Sequence, residues 1–267
     1  MGKRLYLSAI LCFFLICLTY NMPLRLNGVQ AESVADGMAE CVIEVKTGRI
    51  LHEKEVDLHL PMASTTKILT AITVLECCKN LGEEIVIPRD AVGIEGSSVY
   101  LQYGDKYTVE ELLYGLMLRS GNDCATALAL HCGGTVSNFC TKMNIVAQKA
   151  GALNSHFENP HGLPCENHYT TARDLCYITR YAMQNADFSR IVETKFYAPK
   201  QWKNKNKLLF FYDGAIGVKT GYTKQAGRCL VSAAKRGNTV LICTVLNCAP
   251  MYERSAQLLD KAFALCD

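Results

Sequence analysis

Leu60-Pro61-Met62-Ala63-Ser64-Thr65-Thr66-Lys67, followed by the almost wholly apolar Ile68 to Leu75, decides how this chain is read. Pro61 punctuates, and the apolar spacing beyond it predicts a helix buried around most of its circumference. Ser64 then lies at the helix start, with Lys67 one turn on and facing the same side. A serine hydroxyl is a poor nucleophile unless a base lies within hydrogen-bond reach. A lysine is such a base only if its ammonium loses a proton readily, which burial, a helix N-terminus and a second cation all favour. Alone, the tetrapeptide fits a serine N-cap beside a solvated lysine better than it fits catalysis.

Two further stretches change that balance. Ser120-Gly121-Asn122 lies between two helical patterns, and Lys219-Thr220-Gly221 lies in a strand-like run. S-x-x-K, S-x-N and K-T-G in this order mark penicillin-binding proteins and class A β-lactamases. Gly96-Ser97-Ser98-Val99-Tyr100-Leu101, Leu118-Arg119-Ser120-Gly121-Asn122-Asp123, Asn159-Pro160-His161-Gly162-Leu163 and Lys219-Thr220-Gly221-Tyr222-Thr223 extend the match. From about Ala39 to Phe263 the chain resembles serine D-alanyl-D-alanine carboxypeptidases of the low-molecular-mass penicillin-binding protein family.

That resemblance implies a role for each matching residue. Ser64 is the nucleophile, Lys67 takes its proton, and Ser120 relays a proton toward the leaving amine. Asn122 holds the substrate amide, Lys219 supplies positive charge and keeps Lys67 neutral, and Thr220 donates toward the terminal carboxylate. Gly221 leaves the strand edge bare for the substrate backbone. The N–H groups of Ser64 and Tyr222 form the oxyanion hole. Lys205, inside the N-x-N word of Asn204-Lys205-Asn206, and Arg254 are the further cations expected on the substrate carboxylate. Peptidoglycan stem peptides are the implied substrates and β-lactams the implied covalent inhibitors, with neither metal nor organic cofactor. A β-lactamase and a catalytically silent binder of wall peptide are the alternatives. Five intact polar positions, Ser64, Lys67, Ser120, Asn122 and Lys219, argue against the silent binder.

Composition sets the outer bounds. In 267 residues, 49% hydrophobic and 20% charged content describes a globular chain with a substantial core. A net charge of +3, without a basic stripe interleaved by aromatics, gives no reason to expect nucleic acid. Lys3 and Arg4 precede the apolar run Leu5 to Tyr20, and Val29-Gln30-Ala31 offers small residues ahead of Glu32. This reads as a secretory signal over residues 1–31, cleaved after Ala31 or kept as an anchor, with residues 32–267 the catalytic domain. Membrane contact is expected only through that segment if uncleaved, placing the protein outside the cytoplasm, secreted or attached to the membrane's outer face. Two of the 14 cysteines, Cys12 and Cys17, fall in that run. Many others, among them Cys77, Cys78, Cys124, Cys140, Cys176, Cys229 and Cys243, stand where Ala, Val or Leu would serve, so they read as small hydrophobes.

Cys41 to Val45 and Arg49 to Glu53 read as a hairpin turned at Thr47-Gly48. Thr108-Val109-Glu110-Glu111 is a capping box ahead of an apolar helix that breaks at Ser120-Gly121-Asn122. Helices follow over Val136 to Ala150 and Thr171 to Met183. Ala215 to Tyr222, Arg228 to Lys235 and Thr239 to Leu246 read as strands, and Arg254 to Cys266 as a closing helix. Two strands at the start and three at the end predict an α+β fold, one five-stranded antiparallel sheet flanked by helices, and the resemblance implies the same. His161, in a segment that is mainly structural in the resembled family, is left out of the chemistry. Glu166 abuts Asn167 rather than preceding it by the β-lactamase spacing, and is left out too. The β-rich second domain and C-terminal amphipathic anchor of many relatives have no counterpart before Asp267.

Overall fold

The structure, a computed structural model, describes residues Ala39–Cys266. The signal-segment reading lies outside the described residues. Five strands form the antiparallel sheet in the order β2-β1-β9-β8-β7. They are β1 (Ala39–Glu44), β2 (Ile50–Lys54), β7 (Ala215–Thr223), β8 (Gly227–Arg236) and β9 (Thr239–Leu246). The first and last strands therefore meet mid-sheet, where β1 pairs with β9 from Ala39↔Leu246 to Glu44↔Leu241. Two short hairpins, β3 (Glu84–Val86) with β4 (Lys106–Thr108) and β5 (Phe196–Tyr197) with β6 (Trp202–Lys203), stand apart from it.

Alternation along the strands separates two cores, because successive side chains of a strand point to opposite faces. Ala39, Cys41 and Ile43 join one core together with helices α1 (Lys67–Cys77) and α5 (Ala172–Ala182). Val42 faces the other side, where it meets Leu230, Leu241 and Val245 beneath the closing helix α8 (Met251–Phe263). That helix begins three residues before the expected Arg254, because Pro250 occupies its N-cap, where a missing N–H costs nothing.

Helix α1 lies within the larger core, and nine of its residues, Lys67 to Leu75, are buried. Its threonines survive there because each hydroxyl finds a carbonyl: Thr70 donates to Pro160 at 2.7 Å and Thr73 to Leu69 at 2.8 Å. The capping box forms as expected, Thr108 N–H to Glu111 at 2.9 Å and Glu111 N–H to Thr108 at 3.1 Å, and starts α2 (Val109–Tyr114). A wide turn over Gly115–Arg119 then ends at Ser120, and α3 (Asn122–Gly133) restarts beyond Gly121. Helix α4 (Val136–Lys149) follows. The hairpin β5–β6, helix α6 (Ala186–Glu193) and the short α7 (Leu208–Phe211) complete the chain before the last three strands. No described helix is long and apolar enough to cross a membrane.

Candidate active site

Ser64 is not in α1 itself but in a tight 3-10 turn, Ala63–Thr66, that feeds it. Ala63 sits at φ 50°, a costly conformation for a residue with a Cβ. Surrounding contacts hold it there. Thr66 donates through Oγ1 to the Ala63 carbonyl at 2.8 Å, and His168 Nε2 lies 3.0 Å from the same hydroxyl. Since His168 Nδ1 accepts the Glu158 N–H at 3.0 Å, the Nε2 nitrogen carries the proton and donates it to Thr66. Burial pushes the His168 pKa down to about 4, which keeps this tautomer at neutral pH. Gly162, at φ 89°, presses so closely on Ala63 that a Cβ there would overlap the Ala63 carbonyl.

Lys67 is fully buried and has three polar partners. Its Nζ lies 2.9 Å from Ser64 Oγ, 2.7 Å from Asn122 Oδ1 and 2.7 Å from the His161 carbonyl. Two of those partners can only accept. As a neutral amine, Lys67 would give its two hydrogens to Asn122 and His161 and turn its lone pair to the Ser64 hydroxyl. Burial, and then the charge of Lys219, hold the Lys67 pKa well below the ordinary lysine range. The amide of Asn122 is oriented by its other end, which donates to the Glu95 carbonyl at 2.5 Å.

His161 thus enters through its backbone rather than its ring. Asn159 shapes that loop: its Oδ1 accepts the Gly162 N–H at 2.7 Å and its Nδ2 donates to Leu163 O at 2.9 Å. The His161 imidazole, pushed down to about 3 by burial and by Lys67, receives the Leu163 N–H on Nδ1 at 3.2 Å. Glu166 is exposed. Ser120 is buried at φ 65°, but it is not among the three partners of Lys67.

Strand β7 forms the opposite wall. Lys219 is buried, donates to the Thr220 carbonyl at 2.9 Å, and is pushed down to about 7 by burial and by Lys205. A Cβ on Gly221 would meet the Met62 carbonyl at 2.9 Å and the Ser64 nitrogen at 3.1 Å. Glycine at this position therefore lets the strand lie against the serine turn itself, a tighter requirement than a bare edge for substrate. Tyr222 is exposed, with the Arg228 guanidinium 5.6 Å from its ring centre.

The two outer cations differ. Lys205 reaches across to Ser97 Oγ at 3.2 Å, with its pKa lowered by partial burial and Arg119. Arg254 is committed elsewhere: its Nε and Nη2 donate to Glu40 at 2.6 and 2.7 Å, and His52 Nε2 lies 2.8 Å from the same fully buried carboxylate. Its fork stands outside the hydrogen-bonded cluster around Lys67, and this geometry gives no support to a role in gripping substrate.

Asp123 was absent from the expected site yet organises its rim. Its buried carboxylate accepts Ser98 Oγ–H at 2.5 Å, Val99 N–H at 3.0 Å, Leu101 N–H at 3.1 Å and Cys124 N–H at 2.9 Å. These bonds fold the Gly96–Leu101 word over the start of α3. Cys124 is buried beside Asp123, and burial pushes its thiol well above the usual range, which disfavours the reactive thiolate. Cys124→Ala is accordingly expected to leave penicillin acylation within about a few fold, since general-base loss alone reaches about 100-fold or more. Second-order acylation constants check this, and a loss of several orders of magnitude would make Cys124 part of the chemistry.

The sequence profile of the D-alanyl-D-alanine carboxypeptidase family matches residues 27–249, most of the chain. The chain belongs to this family. Among curated relatives, the D-alanyl-D-alanine carboxypeptidase of Streptomyces sp. (strain K15) is 40% identical over 82% of this chain and 84% of its own. DacF of Bacillus subtilis, also named a D-alanyl-D-alanine carboxypeptidase, is 31% identical over 98% of this chain and 71% of its own. The solved structure of the Streptomyces K15 DD-transpeptidase superposes with a TM-score of 0.78 at 38% identity, covering 84% of this chain and 96% of that one. The five-stranded antiparallel sheet flanked by helices is the fold they share.

Proposed function

We propose that this chain is a serine D,D-carboxypeptidase that removes the terminal D-alanine of peptidoglycan stem pentapeptides through an ester on Ser64. The observation that carries this reading is the buried Lys67 nitrogen, 2.7 Å from both Asn122 Oδ1 and the His161 carbonyl and 2.9 Å from the Ser64 hydroxyl. The Ser64 proton moves to Lys67 as Oγ adds to the carbonyl carbon between the two D-alanines. The oxyanion is held by the Ser64 and Tyr222 N–H groups, each such donor contributing about 3–4 kcal/mol. Collapse breaks the C–N bond, and the proton held by Lys67 returns to the departing amine, with Ser120 as its relay once substrate bridges the gap between the two side chains. Water, deprotonated by the same lysine, then opens the ester. Lys219 and Thr220 receive the terminal carboxylate, and Asn122 holds the penultimate amide through the lone pair that Lys67 leaves free.

The substrate places the protein outside the cytoplasmic membrane, which suits residues 1–31 as an export signal ahead of one catalytic domain. The exposed Glu166 is a poor device for aiming a deacylating water, which supports the peptidase reading over the β-lactamase one. The test is a pentapeptide ending D-Ala-D-Ala alongside a labelled penicillin. One D-alanine should be released, and mass spectrometry should find the penicilloyl group on Ser64, leaving slowly. A label on another residue, or rapid penicillin turnover without D-alanine release, overturns the reading.

Lys205 is the remaining solvent-reaching cation at the rim. Because its proposed partner is the substrate carboxylate rather than the reacting bond, Lys205→Ala should lower pentapeptide kcat/KM about tenfold while changing penicillin acylation less than about threefold, the scale of one exposed charge-assisted contact. Equal losses on both substrates would remove it from carboxylate recognition.

A further inference from the structure

Twelve described cysteines are free, and Cys78 and Cys132 meet sulfur to sulfur at 3.5 Å. Cys176 Sγ also lies 3.5 Å from the Cys41 carbonyl, but both cysteines are fully buried between the sheet and α5. Cys78 is different. It is the first residue beyond α1, in extended conformation, and Cys132 lies in the last turn of α3, 54 residues away in sequence. Cys132 is partly exposed, and His131 beside it pairs with Glu83 at 3.6 Å.

We propose that Cys78 and Cys132 form a reversible disulfide that clamps together the C-terminal ends of α1 and α3, the two helices whose N-terminal ends carry Lys67 and Asn122. A sulfur–sulfur bond is about 2.05 Å long, so closure needs about 1.5 Å of approach, within reach of small side-chain rotations. The pair is also chemically biased. The Cys132 hydrogen bond, with His131 nearby, lowers the Cys78 thiol pKa, which favours its thiolate as the attacking group. The oxidant is a small-molecule disulfide such as cystine, whose presence outside the membrane rests on the proposed location. Cys78 thiolate attacks one cystine sulfur, breaking its S–S bond and releasing one cysteine, which takes a proton. Cys132 loses its proton to solvent and attacks the Cys78 sulfur, releasing the second cysteine. Two protein thiols are oxidised and one cystine is reduced to two cysteines.

The test compares full-length protein incubated with cystine or with dithiothreitol. Peptide mapping should find Cys78 joined to Cys132 in the oxidised sample only. Its melting temperature should exceed that of the reduced sample by about 5–15 °C, given typical disulfide stabilisation and the slope for a domain of this size. Cys132→Ser should abolish both effects and Cys77→Ser, altering the exposed neighbour, should keep both. Penicillin labelling of Ser64, which none of these changes touches, reports the active-site reading separately: its failure with the disulfide intact counts against the carboxypeptidase alone. Cys78 joined to Cys77, thiols still alkylatable after cystine, or a link without a rise in melting temperature would each overturn the clamp.

Discussion

Lys67→Ala is expected to lower acylation by at least about 100- to 10,000-fold, the usual contribution of a positioned general base. The loss should lie toward the upper figure, because in the proposed mechanism the one amine facing Ser64 Oγ at 2.9 Å serves both acylation and deacylation. Ser64→Ala is the limiting case, with no covalent penicillin and no D-alanine release. Alanine at 67 also leaves Asn122 Oδ1 and the His161 carbonyl without their donor, so a melting curve must accompany the rates. Lys67→Arg separates the two effects: a guanidinium supplies donors but keeps its proton, so activity should be lost all the same. Asn122→Ala should cost less, since Lys67 retains the His161 carbonyl and the nucleophile survives. Stopped-flow acylation by a chromogenic β-lactam orders the four variants. An alanine variant within tenfold of the parent would remove Lys67 as the base.

The same pair of lysines sets the pH dependence. In the proposed mechanism Lys67 works as the free amine, and its pKa is depressed by burial and then by Lys219, so protonation on acidification should switch acylation off. In the same mechanism Lys219 works as the cation, and burial and Lys205 push it down to about 7, so activity should fall again as pH rises through that value. The expected profile of kcat/KM is a bell, its limbs belonging to the coupled pair rather than to either residue alone. A bound carboxylate favours charged Lys219, so the alkaline limb of kcat should lie above that of kcat/KM. Profiles that keep rising through pH of about 9 would contradict this assignment.

Much of the sheet and the central residues could be read from the chain because their signals are local. The alternation of Cys41, Val42 and Ile43, and of β8 and β9, records which face of the sheet each side chain takes. Ser64 and Lys67 are one turn apart, so their contact follows from helical spacing. The features that were missed depend on long-range contacts or on backbone. His161 carries no catalytic side-chain signal, because its carbonyl is the group that meets Lys67, 94 residues away. His168 and Thr66 are 102 residues apart and act on a carbonyl, Ala63 O, that no motif announces. Arg254 was expected on substrate because of its place near the last strand, whereas a buried carboxylate at Glu40, 214 residues earlier, claims its fork. Helix α6 and the β5–β6 hairpin were not anticipated, the latter being strands of two residues, too short for any period to show.

Asp123→Ala should show how far the site depends on a residue that touches no substrate. Removing the carboxylate leaves the Val99 and Leu101 N–H groups without their acceptor, and Leu101 is buried. Each buried donor left unpaired costs about 1–3 kcal/mol, so the variant should lose several kcal/mol of a total stability of about 5–15. For a domain of this size that is a fall in melting temperature of about 5–15 °C. The Gly96–Leu101 word would then loosen from the start of α3, and with it the Glu95 carbonyl that orients the Asn122 amide. Asn122 could turn its Nδ2 toward Lys67, presenting a donor where the amine needs an acceptor. Acylation should therefore fall about 10- to 100-fold even well below the new melting temperature, the scale of a lost charge-assisted orienting bond or two. Asp123→Asn distinguishes stability from orientation, because its amide keeps the packing but can accept on one side only, and it should recover more of the melting temperature than of the rate. If both variants melt lower yet acylate at the parent rate when measured cold, Asp123 braces the rim without positioning Asn122.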